Sequence, residues 1–118
     1  MKILIAEDDP LLRTALVRVL ERMGHHITAV CDGREALEAT VGDTFDLVVS
    51  DHDMPHMTGL DLHEALPEHM RRRFLLHSGN HAVLAQVEGR VRTLLKGLSS
   101  NEFRDAIEEA LAAGGAIA

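Results

Sequence analysis

Short apolar runs alternate with amphipathic helical patterns along the chain, and this alternation constrains the fold more than any other feature. The runs are KILIA, HITAV, FDLVVS, FLLHS and VRTLL, each short enough for one strand. After each run, apolar residues recur every three or four positions, which is typical of an amphipathic helix. Strands that alternate with helices predict a parallel sheet covered by helices on both faces. We therefore expect one doubly wound α/β domain with five parallel strands.

Capping patterns mark where several of the helices begin and end. Thr58 is followed three residues later by Asp61, and Ser99 by Glu102, which is the spacing of a capping box. Pro67 follows an apolar helical pattern that begins after Thr58, and proline does not continue a helix. The spacing therefore predicts a short third helix that ends before Pro67 and a last helix that begins after Ser99.

Composition narrows the class of protein and its setting. The 118 residues suit a single domain over 1–118, and the formal net charge of −7 disfavours direct binding to nucleic acid or to a membrane surface. The basic run at Arg71, Arg72 and Arg73 is short and predicts a solvated loop. Cys31 is the only cysteine, which excludes an intramolecular disulfide. With no signal-peptide pattern at the N-terminus, these features predict a cytoplasmic protein.

Polar and charged residues follow four of the five predicted strands. They are Glu7, Asp8 and Asp9 after the first, Asp51 and Asp53 after the third, Ser78 after the fourth and Lys96 after the fifth. The carboxyl ends of parallel strands meet at one edge of the sheet, where ligands bind in open α/β folds. Crowded carboxylates repel unless a positive charge joins them, and Mg²⁺ prefers oxygen ligands. Each acid alone also fits a helix cap, and Asp9 fits one best.

Four short motifs carry a resemblance to a known family. AEDD follows the first strand, DHDMPHMTG the third and HSG the fourth, and LLK ends the fifth. Together they resemble the receiver domain of response regulators in two-component signalling, over essentially the whole chain. The resemblance implies a flavodoxin-like sheet with strand order 2-1-3-4-5, as in chemotaxis receivers.

The resemblance also implies a phosphoacceptor and a metal site. Asp51 matches the aspartate that takes a phosphoryl group, and Asp8 matches a direct ligand of Mg²⁺ or Mn²⁺. Glu7 matches an acid that acts on the metal through water. Asp53 matches the residue that lends its backbone carbonyl. Asp51 is expected to ligate the metal as well.

Further roles follow from the same resemblance. Ser78 matches the hydroxyl that responds to phosphorylation, and Lys96 the lysine that contacts the phosphoryl group. Asp53 and Asn80 match positions that tune the lifetime of the phosphorylated state. The expected partners are a histidine kinase or a histidine phosphotransfer protein, an unknown downstream protein, and a second copy bound through the face of the fourth helix, fifth strand and fifth helix. Such a domain catalyses only its own phosphorylation and dephosphorylation and is otherwise no enzyme.

The chain departs from the family pattern around the lysine. Thr93 stands where an aromatic residue is usual, and Gly97 stands where a proline with a cis peptide is usual. We expect a trans peptide before Gly97, because a cis bond there costs about 3 kcal/mol. Lys96 follows Ser78 by 18 residues, a short separation that predicts a reduced fourth helix.

Three alternatives remain open at this stage. The domain could be a receiver-like scaffold that is not phosphorylated, a reading that Thr93 and Gly97 favour. The DHD of residues 51 to 53 could be the D-x-D of a haloacid-dehalogenase-like phosphatase, although that motif normally follows the first strand. Four histidines near the acidic edge could hold a transition metal. They are His52, His56, His77 and His81.

Overall fold

A computed structural model of the chain describes residues 1–113 and shows a five-stranded parallel sheet with helices on both faces. The strands are β1 (Lys2–Ala6), β2 (His26–Val30), β3 (Leu47–Asp51), β4 (Phe74–Ser78) and β5 (Arg92–Leu95). The helices are α1 (Pro10–Arg22), α2 (Gly33–Gly42), α3 (Gly59–Ala65), α4 (Glu68–Arg71), α5 (His81–Val87) and α6 (Ser100–Ala112). The last five residues of the predicted domain, 114–118, lie outside the described part.

The strand order is β2-β1-β3-β4-β5, which confirms the flavodoxin-like topology expected from the sequence. The register decides what meets at the carboxyl edge of the sheet. Asp51, the last residue of β3, pairs with His77 of β4. Ser78, the last residue of β4, pairs with Leu95, directly before Lys96. The residues predicted to form a site therefore emerge side by side from neighbouring strands.

Two apolar clusters hold the helices against the sheet, one on each face. Strand side chains alternate between them, as expected for a sheet buried on both sides. On one face, β-strand residues such as Leu4 and Leu76 pack with Leu62 of α3. On the other, residues such as Ile5 pack with Leu20 of α1, and Phe103 and Ile107 of α6 lie in the same cluster.

The predicted caps form, and one unpredicted helix appears. Both capping boxes are present, with Thr58 and Asp61 at α3 and Ser99 and Glu102 at α6. Pro67 ends α3 as expected, but it also occupies the N-cap of α4. The prediction of a solvated loop at Arg71, Arg72 and Arg73 is therefore wrong for Arg71, which is half-buried and ends α4, a single turn that buries only Met70. Four residues are too few to show a helical period.

Leucine-to-alanine substitutions in α1 should separate buried from exposed positions. Leu20 is completely buried, whereas Leu11 on the same helix is 83% exposed. Leu20→Ala should lower the free energy of unfolding by about 2–5 kcal/mol, because it removes apolar contacts and leaves a cavity. Leu11→Ala should change it by no more than about 0.5 kcal/mol. Urea titration monitored by circular dichroism measures both. Equal losses in the two variants would contradict the placement of α1.

Candidate functional site

Three carboxylates converge at the carboxyl edge of the sheet. Glu7 and Asp8 follow β1, and Asp51 ends β3, which is the neighbouring strand. One carboxylate oxygen from each residue lies within 4.8 Å of the others. Glu7 and Asp51 are 1% and 6% exposed, whereas Asp8 is exposed to solvent. Two buried acids and one exposed acid therefore share one small, strongly negative space.

The ammonium of Lys96 lies between the two buried acids. Its Nζ atom is 3.0 Å from Asp51 Oδ1 and 3.1 Å from Glu7 Oε1. Partial burial alone would lower the pKa of Lys96, but the ion pairs with Asp51 and Glu7 outweigh it and raise this pKa. Lys96 is therefore a fixed positive charge in the site at neutral pH. The sequence placed Lys96 at this edge, and the structure brings it into direct contact with both acids.

Glu7 is the acid whose protonation the site perturbs most. Its pKa is raised from 4.5 to about 7, first by burial and also by the charge of Asp51, against the lowering effect of a hydrogen bond from the Asp9 backbone N–H and of Lys96. Glu7 Oε2 accepts that hydrogen bond at 3.2 Å. Glu7 Oε1 is buried and, within residues 1–113, accepts no aligned hydrogen bond beyond its ion pair with Lys96. A buried oxygen of this kind is a suitable contact for a further positive group.

Ser78 and Asn80 lie beside the acids, at the end of β4. Ser78 is 1% exposed, and its Oγ accepts a hydrogen bond of 3.0 Å from the Asn80 backbone N–H. The Ser78 carbonyl accepts a hydrogen bond of 2.9 Å from the Lys96 N–H. Hydroxyl and lysine are thus joined through the backbone. Asn80 is the N-cap of α5, and its side-chain oxygen accepts from Ala82 and Val83.

The loop after Asp51 is folded back onto the strand that it leaves. The Gly59 N–H donates to the His52 carbonyl at 2.9 Å, which closes the loop at the start of α3. A Cβ atom on Gly59 would collide with the Asp51 carbonyl and lie 2.7 Å from Leu76 Cδ1. Glycine is therefore required at position 59 for this close approach. Asp53, in the same loop, is exposed, and its role as a carbonyl ligand stays a prediction.

Two contacts at the site were not predicted from the sequence. Arg13 of α1 donates from Nη1 to the Glu7 carbonyl at 2.8 Å. Ser50 Oγ donates to the Asp51 carbonyl at 2.8 Å. The sequence feature that could have suggested the Arg13 contact is its position, one turn into the helix that directly follows the acids. Asp9 caps α1 by accepting from Leu11 and Leu12, as the sequence suggested.

The donor set fits a hard divalent cation. Glu7, Asp8 and Asp51 offer carboxylate oxygens in one cluster, which is the ligand chemistry of Mg²⁺ and Mn²⁺. In the described residues, no histidine joins a cluster with metal-ligand spacing. His77 is instead 5% exposed and packs against the Phe103 ring at 5.6 Å. Burial, and next the charge of Lys96, lowers the pKa of His77 to about 4, so it is neutral at pH 7.

Comparison with known proteins agrees with this fold. The sequence profile of the response regulator receiver domain matches residues 3–108. The chain therefore belongs to the response regulator receiver family, a family of domains in two-component signalling proteins. Membership of this family favours a receiver over a haloacid-dehalogenase-like phosphatase. The assignment of all of residues 1–118 to one domain stays a prediction.

Individual relatives are similar over different lengths. The response regulator receiver protein CpdR of Brucella abortus is 41% identical over 61 residues, which cover 52% of this chain and 51% of CpdR. The signal receiver domain of a histidine kinase from Syntrophus aciditrophicus is 27% identical, with a TM-score of 0.82 over 94% of this chain and 89% of that one.

A further structural neighbour was solved with metal. It is the receiver domain of a sensor histidine kinase from Pseudomonas aeruginosa PAO1, with a magnesium ion in its active site cleft. It shares the fold at a TM-score of 0.85 and 20% identity, over 94% of this chain and 97% of that one. Among residues 1–113, no helix has the length and apolar character needed to cross a membrane.

The perturbed pKa of Glu7 should make stability depend on pH in the absence of metal. A glutamate whose pKa rises from 4.5 to about 7 on folding binds a proton more tightly in the folded state. The contribution of Glu7 to the free energy of unfolding should then fall as pH rises from about 4.5 to 7, because the unfolded chain loses this proton first. The lowered pKa of His77 acts in the opposite direction over much of this range, so the Glu7 contribution is read from the difference between two variants. Denaturant titrations of the wild type and Glu7→Gln in EDTA at pH 5, 6 and 7.5 measure that difference. Glu7→Gln keeps the size of the side chain, and its stability relative to the wild type should increase from pH 5 to pH 7.5; a pH-independent difference would contradict the assignment.

Proposed function

We propose that this receiver domain is a phosphoacceptor in which Asp51 takes a phosphoryl group from a phosphohistidine of a partner protein. The observation that carries the proposal is the convergence of Glu7, Asp8 and Asp51 around the Lys96 ammonium. Acids that only cap helices accept from backbone N–H groups, as Asp9 does, and need no lysine shared between two buried carboxylates. A site for a transferred phosphoryl group needs both, because charge develops on its oxygens.

Asp51 is prepared for attack by the contacts of one of its two oxygens. Oδ1 contacts Lys96 Nζ and accepts a hydrogen bond of 2.8 Å from the His52 N–H. No hydrogen bond to Oδ2 is present among the described residues, and we assign the attack to this atom. A P–O bond forms to Asp51 as the P–N bond of the phosphohistidine breaks, and the leaving imidazole retains the electron pair and takes up a proton. The product on this chain is an acyl phosphate.

Mg²⁺ or Mn²⁺ would be held by Asp8 and Asp51, by the Asp53 carbonyl, and by Glu7 through water. The cation supplies charge neutralisation for the carboxylates and the phosphoryl oxygens. Lys96 supplies the second positive charge, at Oδ1 of Asp51. Lys96 also contacts Oε1 of buried Glu7, so the same ammonium offsets the negative charge of both acids. Catalysis in this proposal extends only to the domain's own phosphorylation and dephosphorylation.

The proposed response begins at Ser78. Its hydroxyl is buried at the end of β4, the strand beside the one that Asp51 ends, and turns toward the phosphoryl group, which breaks the hydrogen bond from the Asn80 N–H. Asn80 caps α5, so this change reaches the face of α5, β5 and α6, which we propose as the surface for a downstream protein or a second copy. These two helices are the fourth and fifth of the predicted order, renumbered because of the additional α4 turn. Thr93 on β5 offers no aromatic ring to move with Ser78. The backbone hydrogen bond between Ser78 and Lys96 is the contact available to carry the change to β5.

Partner and location follow the same proposal. Receiver domains in general interact with histidine kinases and downstream proteins, and we propose a histidine kinase or a histidine phosphotransfer protein as the donor for this chain. A cytoplasmic location is consistent with a single cysteine, which can form no intramolecular disulfide. A non-phosphorylated scaffold is the second candidate, since Thr93 and Gly97 depart from the family pattern around the lysine.

Phosphorylation by a small donor should decide between phosphoacceptor and scaffold. Incubation with acetyl phosphate and Mg²⁺ should add the mass of one phosphoryl group to the intact protein, because the site itself supplies the catalysis. Asp51→Asn should abolish the adduct, and Asp105→Asn, an exposed acid on α6, should not. Intact-mass spectrometry at neutral pH measures all three. An unmodified wild type would support the scaffold, and an adduct that survives Asp51→Asn would place the acceptor elsewhere.

Two adjacent aspartates allow a matched test of the metal site. Asp8→Asn should weaken Mg²⁺ binding by about tenfold or more, because it removes a charged ligand from the cluster. Asp9→Asn should leave the affinity nearly unchanged, since Asp9 caps α1 and asparagine caps equally well. Isothermal titration with Mg²⁺ measures both affinities. Equal affinities in the two variants would remove Asp8 from the ligand set.

A further inference from the structure

A polar cleft lies at the opposite end of the sheet from the acidic site. Its volume is about 390 Å³, within the range of small-molecule sites, and it runs between α3, α4 and the end of α5. Arg90 and Val91 precede β5, which places this cleft at the amino ends of the strands. The lining residues are Leu60, His63, Glu64, Arg71, Gln86, Val87, Arg90 and Val91.

Two arginines face this cleft from different elements. Arg71 ends α4, and within the described part of the chain its guanidinium has no hydrogen-bond or ion-pair partner. It is partly buried, unlike Arg72, which is exposed and pairs with Glu68. Arg90 donates from Nη2 to the Gln86 carbonyl at 3.1 Å, which holds it at the end of α5. An unpaired, partly buried guanidinium in a chain of net charge −7 is not explained by solubility.

His63 adds a second unsatisfied group to the same cleft. Its ring packs edge-on against Phe74 at 5.1 Å, and its Nε2 atom is buried without a partner among the described residues. Buried polar atoms normally have a partner, so this atom leaves the wall of the cleft with an unmet hydrogen-bonding capacity. Leu60, Val87 and Val91 supply apolar surface beside these polar groups. The lining therefore combines two cations, one neutral imidazole and an apolar wall.

We propose that the cleft between α3, α4 and α5 binds a small organic oxyanion, with its phosphate or carboxylate on Arg71 and Arg90 and its apolar part against Leu60, Val87 and Val91. Guanidinium groups pair with both kinds of oxyanion through parallel hydrogen bonds. Glu64 also lines the cleft, and its negative charge opposes binding of the anion. The site is separate from the acidic pocket and does not depend on phosphorylation of Asp51.

The test uses phenyl phosphate, benzoate, inorganic phosphate and phenol as probes of the wild-type protein in EDTA. Amide shifts in two-dimensional NMR report where each probe binds. Phenyl phosphate or benzoate, or both, should give saturable shifts at residues 63–64, 71 and 86–91, and the stronger of the two identifies the preferred oxyanion. Inorganic phosphate should bind more weakly, and phenol should give no saturable shift. Absence of saturable shifts there with both organic anions, or equal binding of phenol, would overturn the proposal.

Variants test the charges individually. Arg71→Gln and Arg90→Gln should each weaken binding by roughly tenfold, the effect of losing one charged hydrogen bond. Glu64→Gln should strengthen it, because it removes the opposing charge. Arg104→Gln, at an exposed position of α6, is the matched control and should not change it. Unchanged affinity in both arginine variants, or weaker binding in Glu64→Gln, would contradict the proposed contacts.

The imidazole of His63 gives an independent readout. Burial, and next the charge of Arg71, holds the pKa of His63 below its usual range, while Glu64 acts in the opposite direction and Arg90 in the same one. Glu68 and Arg72, which pair with each other, lie along an adjoining groove. A bound anion favours the imidazolium, so this pKa should rise in the complex. NMR titration of the imidazole Hε1 with and without phenyl phosphate or benzoate measures the change, and a pKa unaltered by a saturating probe would contradict contact with His63.

Discussion

The Lys96 ammonium between Glu7 and Asp51 is the interaction on which the rest of the site depends. Two buried carboxylates repel strongly where little water screens them, and the shared cation offsets that repulsion. The Lys96 N–H is also bound to the Ser78 carbonyl, so the strand that carries the hydroxyl also positions the cation. The acids, the lysine and the hydroxyl are therefore linked by direct contacts, and a change in the charge of one alters the electrostatic environment of the others.

The positions of these groups could be predicted from the sequence because they follow from topology. Parallel strands bring Asp8, Asp51, Ser78 and Lys96 to one edge whatever the details of packing. The order of the strands came from resemblance to the receiver family, and the structure agrees with it. Both capping boxes were equally readable, since they depend on two residues at a fixed spacing. The helix caps and the residues at the strand ends can therefore be predicted from the sequence of this protein.

Side-chain contacts between residues of different elements could not be predicted from such patterns. The α4 turn has too few residues for a periodic signal, and it is held mainly by burial of Met70. His77 sits in a strand buried on both faces, so the pattern of β4 did not indicate which face its ring occupies. Arg13 reaches the Glu7 carbonyl across a loop, a contact that depends on the direction of α1. Each of these features depends on how the helices pack against the sheet, which no short stretch of sequence determines.

The glycine after the lysine has a consequence for the order of the site. Gly97 has a φ of +93°, a conformation that proline cannot adopt and other residues rarely do, and no neighbouring atom lies within 4 Å of where its Cβ would be. Glycine loses more conformational entropy on folding than any other residue, so the order of this loop depends on the contacts that flank Gly97, those of Lys96 before it and the packing of Leu98 after it. Local unfolding of a protein begins where such contacts are few. In this domain, the segment after β5 is therefore expected to open before the sheet does, and its opening frees the lysine from the acids.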